Sequence, residues 1–340
     1  MAVDSSALTL SDWAAYSNDE VVKQITKSVH MTWNAIKDIP LVTSNQLKQT
    51  GVRFIGSEGM PSVTWTSINE EPTTTKAKPT AYEENIYLVR NKFVIDEMLL
   101  NQPSQITDPV QAQVDAWTMA FAYEFNDKFI NNNPESGGTS AKCFPGLRYR
   151  LQNPTKFDIP SEMVVNAGGV VMNGSMTAST ANDFISYIDE LLDNLAAPDG
   201  NGVVLYMSEK MKRQFAKAIR LLGSGAGFNT QSDGYDRMVD VYRNAKIRTV
   251  GRKVDQSTPI IANAETAPGT ADSGGTFTSI YGVHYGDGYV TGWQKGLLKP
   301  EYLGKSRENG VIHNVVLNWG VGLWFPHTRS IGRIRNIGVS

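Results

Sequence analysis

The four histidines are the first candidates for metal chemistry, and they stand far apart in the chain, at His30, His284, His313 and His327. A zinc site on one helix face needs two histidines at a His-Glu-x-x-His or His-x-x-x-His spacing. Neither spacing occurs in the sequence. Each histidine is therefore interpreted as a packed or surface side chain, and no metal site is predicted.

Acidic side chains are the next candidates, because a general acid and a general base are often a pair of carboxylates. They occur here as neighbours in sequence, at Glu70-Glu71, Glu83-Glu84 and Asp189-Glu190. Adjacency along the chain does not place two acids on opposite sides of a substrate. Solvated faces are the favoured interpretation of all these pairs.

Nucleotide and acyl-transfer motifs are also missing from the sequence. The glycine-rich run Gly223–Gly227 follows a predicted helix, whereas a dinucleotide fingerprint follows a strand and begins a helix. No Walker sequence and no Gly-x-Ser-x-Gly elbow occurs. The single cysteine, Cys143, is expected to be a small packed hydrophobe. The sequence predicts a protein without a cofactor that is not an enzyme; a soluble enzyme with a site assembled from distant residues is the alternative.

The composition is that of an ordered globular chain, with 41% hydrophobic and 19% charged residues and a net charge of −2. Such a balance gives no overall attraction to phosphate backbones, so only weak, non-specific contact with DNA is expected. No window reaches the ~18 uncharged apolar residues of a membrane span, and Met1–Trp13 lacks a secretion signal. No membrane partner is predicted.

The elements that must position any site begin with a helix and a hairpin. Apolar residues at spacings of three and four predict a helix from Ser11 to Ile39, ending before Pro40. From Gly51 to Asp96 the pattern predicts two long strands that run out and back, with a polar tip over Asn69–Glu84. An isolated hairpin is marginal in water, so this one needs a surface to lie on, for which a neighbouring subunit is one candidate.

A long helix follows the hairpin. Thr107 or Asp108 can cap it, Pro109 suits its first turn, and it is predicted to run to about Asn131. Its apolar stripe is typical of a helix packed in a core rather than of a cofactor site. The stripe is formed by Val110, Val114, Trp117, Phe121, Phe125 and Phe129.

The second half of the chain mixes helices and strands. The pattern predicts a helix over Thr180–Leu195, a buried strand over Val203–Met207, and a helix capped by Ser208. Two polar loops, 223–233 and 266–276, are expected to be solvated or ordered by partners, and alternation in the last seventy residues predicts several strands. The fold class is therefore α+β.

The order of these parts, together with three local segments, resembles the major capsid protein of tailed bacteriophages with the Hong Kong 97-like fold. Gly202–Ser208 followed by Lys210, Lys212 and Arg213 is similar to the axial strand and basic helix of that family. Gly146–Leu151 is similar to the segment after the spine helix, and Asn318–Leu323 to the last strands. The resemblance spans nearly the whole chain.

The resemblance implies a division of the chain into an N-arm at 1–48, an E-loop at 49–96, a peripheral domain at 97–180 and an axial domain at 181–309. The spine helix would occupy 107–131, and residues 310–340 would return to the peripheral domain. The spine-helix core would include Val114, Trp117, Phe121 and Phe125.

The same resemblance implies the function and the contacts. Pentamers and hexamers would close an icosahedral shell around phage double-stranded DNA, in a virion assembled in the host cytoplasm. The E-loop tip would contact a neighbour through Glu70, Glu71, Lys76, Lys78, Glu83 and Glu84. The basic run of Arg329, Arg333 and Arg335 would pair with a partner's carboxylates or contact phosphate.

The partners expected by resemblance are a portal protein, a decoration protein and a separate scaffolding protein. The last follows because the first predicted helix begins within about ten residues of Met1, which leaves no room for a scaffolding segment at ~1.5 Å per helical residue. Lys76 or Lys78 would be the candidate for a covalent link to a neighbour, as in some members of the family. An encapsulin-type nanocompartment shell shares the fold and is the alternative function.

Overall fold

The computed structural model describes residue 35 and residues 38–55, 59–96, 109–197, 199–223, 228–232, 238–265, 277–305 and 312–339. The predicted helix over Ser11–Ile39 lies almost wholly outside the described residues. The cap at Thr107 or Asp108 and most of the two polar loops lie outside them too.

Among the described residues, thirteen strands and four α-helices form the main elements of the fold. The strands are β1 (Leu41–Thr43), β2 (Lys48–Arg53), β3 (Thr80–Asn85), β4 (Tyr87–Asp96), β5 (Val164–Asn166), β6 (Val203–Met207), β7 (Phe228–Ser232), β8 (Met238–Tyr242), β9 (Ala245–Thr249), β10 (Phe277–His284), β11 (Thr291–Lys305), β12 (Ile312–Trp324) and β13 (Ile331–Gly338). The α-helices are α1 (Pro109–Asn131), α2 (Leu147–Gln152), α3 (Ala178–Asn194) and α4 (Glu209–Leu222). The predicted α+β class is confirmed.

A four-stranded sheet has the strand order β1-β11-β12-β4. Strand β12 alternates, so that Val315, Leu317, Trp319 and Val321 are buried on one face. That face packs against α1, where the Trp319 and Phe121 rings meet edge to face at 5.6 Å. The burial of large apolar side chains on one face fixes the register of the strand, since a slip of one residue would expose all of them.

Helix α1 joins this sheet to the second one. Phe121, Phe125 and Phe129 are buried along one side of the helix, and Trp117 stacks on Phe121 at 5.3 Å. At the far end Phe129 contacts the ring of Tyr206 in β6 at 5.7 Å. Val114 lies within α1, but its side chain is outside what the structure describes. The aromatic side of α1 therefore holds two sheets in one core.

The seven-stranded sheet has the order β5-β13-β10-β6-β9-β8-β7. Strand β6 is buried on both faces, because Tyr206 faces α1 while Leu205 and Gly282 of β10 face Leu195 at the end of α3. Strands covered on both faces read as continuous apolar runs, which explains the sequence Val-Val-Leu-Tyr-Met. The predicted strand Val203–Met207 is confirmed.

Helices α3 and α4 begin at side-chain caps. Thr177 Oγ1 accepts the Thr180 N–H at 3.3 Å, and Ser208 Oγ accepts the Met211 N–H at 3.2 Å. Helix α4 ends at Gly223, whose φ of 61° is a left-handed conformation that glycine adopts without strain. The predicted helix capped by Ser208 is confirmed. Among the described residues, no helix is long and apolar enough to cross a membrane.

Sheet membership links strands from different predicted segments of the chain. Strand β11 lies in the four-stranded sheet with β12, although the predicted axial segment ended at 309, and β13 lies in the seven-stranded sheet. Strand β4 pairs with β12 instead of leading back along the outgoing hairpin strand. Alternation predicts a strand but not its partner, because the partner is chosen by packing between residues far apart in sequence.

Candidate inter-subunit surface

Strands β2 and β3 form a short antiparallel hairpin, which is the only strand pairing among the described residues from Lys48 to Asn85. The two strands pair antiparallel from Lys48 opposite Asn85 to Arg53 opposite Thr80. Lys48 and Glu83 form a cross-strand ion pair at 2.5 Å, and both side chains are about half exposed. The chain between the strands leaves the sheet, and residues 59–79 are named here the excursion.

A buried cluster fixes the base of this hairpin to the rest of the chain. The Arg150 guanidinium donates to Glu84 at 2.6 Å, and the Tyr82 hydroxyl donates to the same carboxylate. The Arg150 guanidinium also lies over the rings of Phe325 and Phe157, at 4.1 and 4.8 Å from their centroids. Because α2 carries Arg150, the returning strand is anchored to a helix that packs on α1.

The outgoing strand is anchored by Arg53. Its Nε donates to the Pro326 carbonyl at 3.0 Å and its Nη1 to the Phe157 carbonyl at 3.2 Å, while Nη2 donates to the Phe325 carbonyl. The guanidinium also stacks on Tyr82 at 3.3 Å. Burial raises the pKa of Tyr82, so this hydroxyl keeps its proton and stays a donor. Both strands of the hairpin therefore start from a fixed base.

The excursion, by contrast, is almost entirely exposed. Trp65 is 96% exposed, Ile68 95% and Val63 85%, values that a solvated monomer does not favour for large apolar side chains. Few contacts shape it: the Lys78 N–H donates to the Gly59 carbonyl at 3.1 Å. A group of exposed apolar side chains on one projecting segment is typical of an interaction site.

The predicted contact residues at the E-loop tip fall into different environments. Glu71, Lys76 and Lys78 are exposed on the excursion. Glu70 closes a turn, where its carboxylate accepts the Ser67 N–H at 2.9 Å. The structure corrects Glu84, which is buried against Arg150 at the hairpin base and has no free face for a neighbour. Glu83, paired with Lys48, likewise lies at the base and not at the tip.

The three arginines of the predicted basic run near the C-terminal end also differ in burial and in their partners. Arg329 is half exposed and pairs with Glu162 of the same chain. The prediction for Arg333 is wrong, because its guanidinium is buried and bonds to Glu265 at 2.8 Å and Ser279 at 3.0 Å. Arg335 lies on β13 and is half-buried. The carboxylate that binds Arg333 lies 68 residues earlier, so the local sequence gave no sign of it.

The apolar residues of the excursion were not predicted as contact residues. Val63, Trp65 and Ile68 were interpreted as part of a paired strand, since their spacing suits one. The composition around them could have shown that they are exposed and not part of a paired strand. They lie in a stretch rich in Pro, Ser, Thr and Glu that contains no second apolar strand to cover them.

The described residues contain no group of three or more His, Cys, Asp or Glu side chains that could hold a metal ion. Burial raises the pKa of the Cys143 thiol to about 11, which leaves it protonated and unreactive near pH 7. A narrow cleft beside Arg53 and Arg150 is lined by Phe157, Phe325 and His327 and lies against the hairpin base. Among the described residues, none of these features brings a nucleophile and a base together.

No protein-family model matches the chain, and no curated protein matches it. Solved structures do. A chain of the holo-SrpI encapsulin complex from Synechococcus elongatus PCC 7942 aligns with a TM-score of 0.56 at 11% identity, over 88% of this chain and 85% of that one. A chain of Microbacterium phage Oxtober96 aligns at 0.55 and 11%, over 91% of each chain.

A chain from the capsid of an empty GTA particle aligns with a TM-score of 0.54 at 12% identity, over 92% of this chain and 90% of that one. The likeness to the encapsulin complex, the phage and the GTA capsid extends over nearly the whole of each chain. At such low identities the comparison establishes the fold. The expected Hong Kong 97-like capsid fold is therefore confirmed.

Proposed function

We propose that this chain is the major capsid protein of a tailed bacteriophage, which assembles through pentamers and hexamers into the icosahedral shell around double-stranded DNA. The observation that carries the proposal is the fold, which is shared over about nine-tenths of the chain with a phage protein and a GTA capsid. The exposed excursion supports it, because a segment bearing Val63, Trp65 and Ile68 needs a partner to bury them.

In this proposal the excursion lies on a neighbouring copy of the chain. The apolar side chains would supply most of the contact energy, at roughly 25 cal/mol for each Å² of apolar surface removed from water. Glu71, Lys76 and Lys78 would set the orientation through charge complementarity. Arg53 and Glu84, which hold the hairpin strands to the rest of the subunit, would fix the position of the excursion relative to the core. A scaffolding protein, a portal protein and a decoration protein remain expected partners, in a particle assembled in the host cytoplasm.

The test is assembly of the full chain, co-expressed with a scaffolding protein and examined by gradient sedimentation and negative-stain microscopy. Closed particles are expected from the wild-type chain. Trp65→Ser should leave a folded subunit that forms at least tenfold fewer particles, since a buried aromatic anchor at an interface is worth ≥2 kcal/mol. Val254→Ser, which removes another exposed apolar side chain, is the matched control and should assemble normally. A monodisperse monomer under every assembly condition would refute the proposal.

An encapsulin-type shell is the second candidate, and the alignment with the encapsulin complex favours it. The two functions differ in what the shell encloses. Nuclease-protected DNA in particles from the natural source identifies a phage head, whereas a protein cargo without DNA identifies a nanocompartment.

A further inference from the structure

Two short connections join the two sheets. The chain passes from β10 of the seven-stranded sheet to β11 of the four-stranded sheet through residues 285–290, and returns from β12 to β13 through 325–330. The connections lie side by side, since the His284 N–H donates to the Ser330 carbonyl at 2.8 Å. A rotation of one sheet against the other must therefore act on both segments.

Three rings hold these connections together. The Tyr289 ring stacks on His284 with centroids 3.7 Å apart and an interplanar angle of 27°. The Tyr289 ring also contacts His327, with the ring centroids 5.3 Å apart. His284 ends β10, Tyr289 belongs to the first connection and His327 to the second. The stack of His284, Tyr289 and His327 thus ties one connection to the other.

The geometry of the stack suits neutral imidazoles. His327 Nδ1 accepts the Arg329 N–H at 3.1 Å, so this nitrogen must be without a proton. His284 Nδ1 is buried without a hydrogen-bond partner, and a proton there would have no acceptor. Burial, followed by the nearby His327, lowers the pKa of His284 to about 4. Burial, Arg329 and Arg53 lower the pKa of His327.

The charged groups around the stack do not favour a proton on it. Arg329 and Arg53 are the cations that lower the pKa of His327. Each pairs with a carboxylate of its own, since Asp158 lies 3.7 Å from Arg53 and Glu162 pairs with Arg329. In the part of the chain that the structure describes, neither imidazole forms an ion pair. Asp287 lies exposed on the first connection.

On the other sides the stack meets uncharged groups. His284 packs against Gly202, at the turn before β6, and the adjacent Tyr285 hydroxyl shares a hydrogen bond of 2.9 Å with Tyr206. The buried Glu84–Arg150 pair lies beyond Arg53 and is internally balanced. Beyond Tyr206 lies the buried Asp38–Arg248 pair, which is also internally balanced. Among the described residues, the charges that lower the pKa values of the imidazoles are therefore that of His327 on His284 and those of Arg329 and Arg53 on His327.

We propose that His284, Tyr289 and His327 form an acid-sensitive latch on the hinge between the two sheets, closed while both imidazoles are neutral and opened when they take up protons. Opening frees the two connections while each sheet stays folded and α1 keeps both sheets in one core. The inference concerns a movement within one subunit and does not depend on the proposed shell function.

The test is hydrogen exchange of the full chain, followed by mass spectrometry at pH 7 and pH 5 and corrected for the intrinsic exchange rate. If His284 regains its ordinary pKa of 6.5 in the open form, opening of 285–290 and 325–330 should increase roughly 20-fold between pH 7 and pH 5. His284→Phe keeps the ring against Tyr289 and removes the proton site, so its protection should stay nearly constant. His313→Phe, far from the hinge and stacked on Tyr302, is the matched control and should behave like the wild type.

A second variant keeps the test decisive if His284→Phe does not fold. Tyr289→Leu removes the central ring, and the two connections should then lose protection already at pH 7 while β6 stays protected. The proposal is overturned if protection of the connections does not change down to pH 5, or if it falls equally in His284→Phe. It is also overturned if the amides of Val203–Met207 become as weakly protected at pH 5 as those of the two connections, because this would be unfolding of the whole subunit.

Discussion

At the scale of single residues, buried charges connect distant parts of this chain. Each buried ion pair joins segments that lie far apart in sequence, and each has nearly inaccessible side chains. The pairs are Glu84 with Arg150, Asp38 with Arg248, and Glu265 with Arg333. A buried pair adds little stability compared with an apolar pair of the same shape, but loss of one member leaves an uncompensated charge in the core. These residues are therefore sensitive positions that specify one arrangement of the chain.

Glu84→Gln tests this at the hairpin base. The amide keeps the volume but removes the charge, so that Arg150 remains buried without the carboxylate that it pairs with. The free energy of unfolding, measured by urea denaturation, should fall by about 3 kcal/mol or more. Glu83→Gln is the matched control, since Glu83 pairs with Lys48 at the surface and its change should cost less than ~1 kcal/mol. Equal losses in the two variants would contradict the role given to Glu84.

His284 gives the stability of the subunit a dependence on pH. Its pKa is about 4 in the folded chain and near 6.5 in the unfolded chain, so the unfolded state binds the proton more readily. Its contribution to stability is complete above pH 6.5 and is lost as the pH falls toward 4. Between pH 7 and pH 5 the free energy of unfolding should fall by about 2 kcal/mol more in the wild type than in His284→Phe. Parallel curves for the two proteins would show that burial does not perturb this histidine.

At the scale of elements, glycine allows α1 and α2 to approach closely. A Cβ at Gly146 would lie 2.6 Å from the Asn132 nitrogen and 2.8 Å from the Lys128 carbonyl oxygen, both of them backbone atoms at the end of α1. Gly146→Ala should therefore push the two helices apart and lower the free energy of unfolding by about 1–3 kcal/mol, seen as a lower Tm. Gly174→Ala meets nothing within 4 Å and should leave the Tm unchanged. A neutral Gly146→Ala would mean that the helices shift without cost.

Helices and strands that depend on neighbouring residues could be predicted from the sequence, but the strands with which they pair could not. The run Val203–Met207 and the cap at Ser208 depend on neighbouring residues, so the pattern was sufficient. The pairing of β4 with β12 joins Tyr87 to Val321, and no local pattern records it. At the candidate surface, the exposed Glu71, Lys76 and Lys78 were predictable from polarity, but the burial of Glu84 and Arg333 required the tertiary contacts.

At the scale of the whole molecule, the subunit has a well-packed core but leaves large apolar side chains of the excursion exposed to water. One core joins both sheets through α1, while Trp65 and Ile68 stay in water. A projecting segment that docks on a different surface of the next copy makes a heterologous contact, and such contacts close into rings when the rotation permits. The arrangement therefore suits assembly into closed particles and gives an isolated subunit an exposed apolar surface.

Protease sensitivity should therefore report assembly. Trypsin can cut after Lys76, which is exposed on the excursion, whereas Lys78 precedes Pro79 and resists cleavage. Cleavage follows the accessible, locally open state, so the bond between Lys76 and Ala77 of the free subunit should be cut within minutes. Assembled particles should resist at this bond, because the excursion would then be covered by a neighbour. Lys76→Gln removes the cleavage site, so the gel band that disappears in this variant is the product of cleavage after Lys76. Equal cleavage of free subunits and particles would show that the excursion stays in solvent and that other surfaces build the shell.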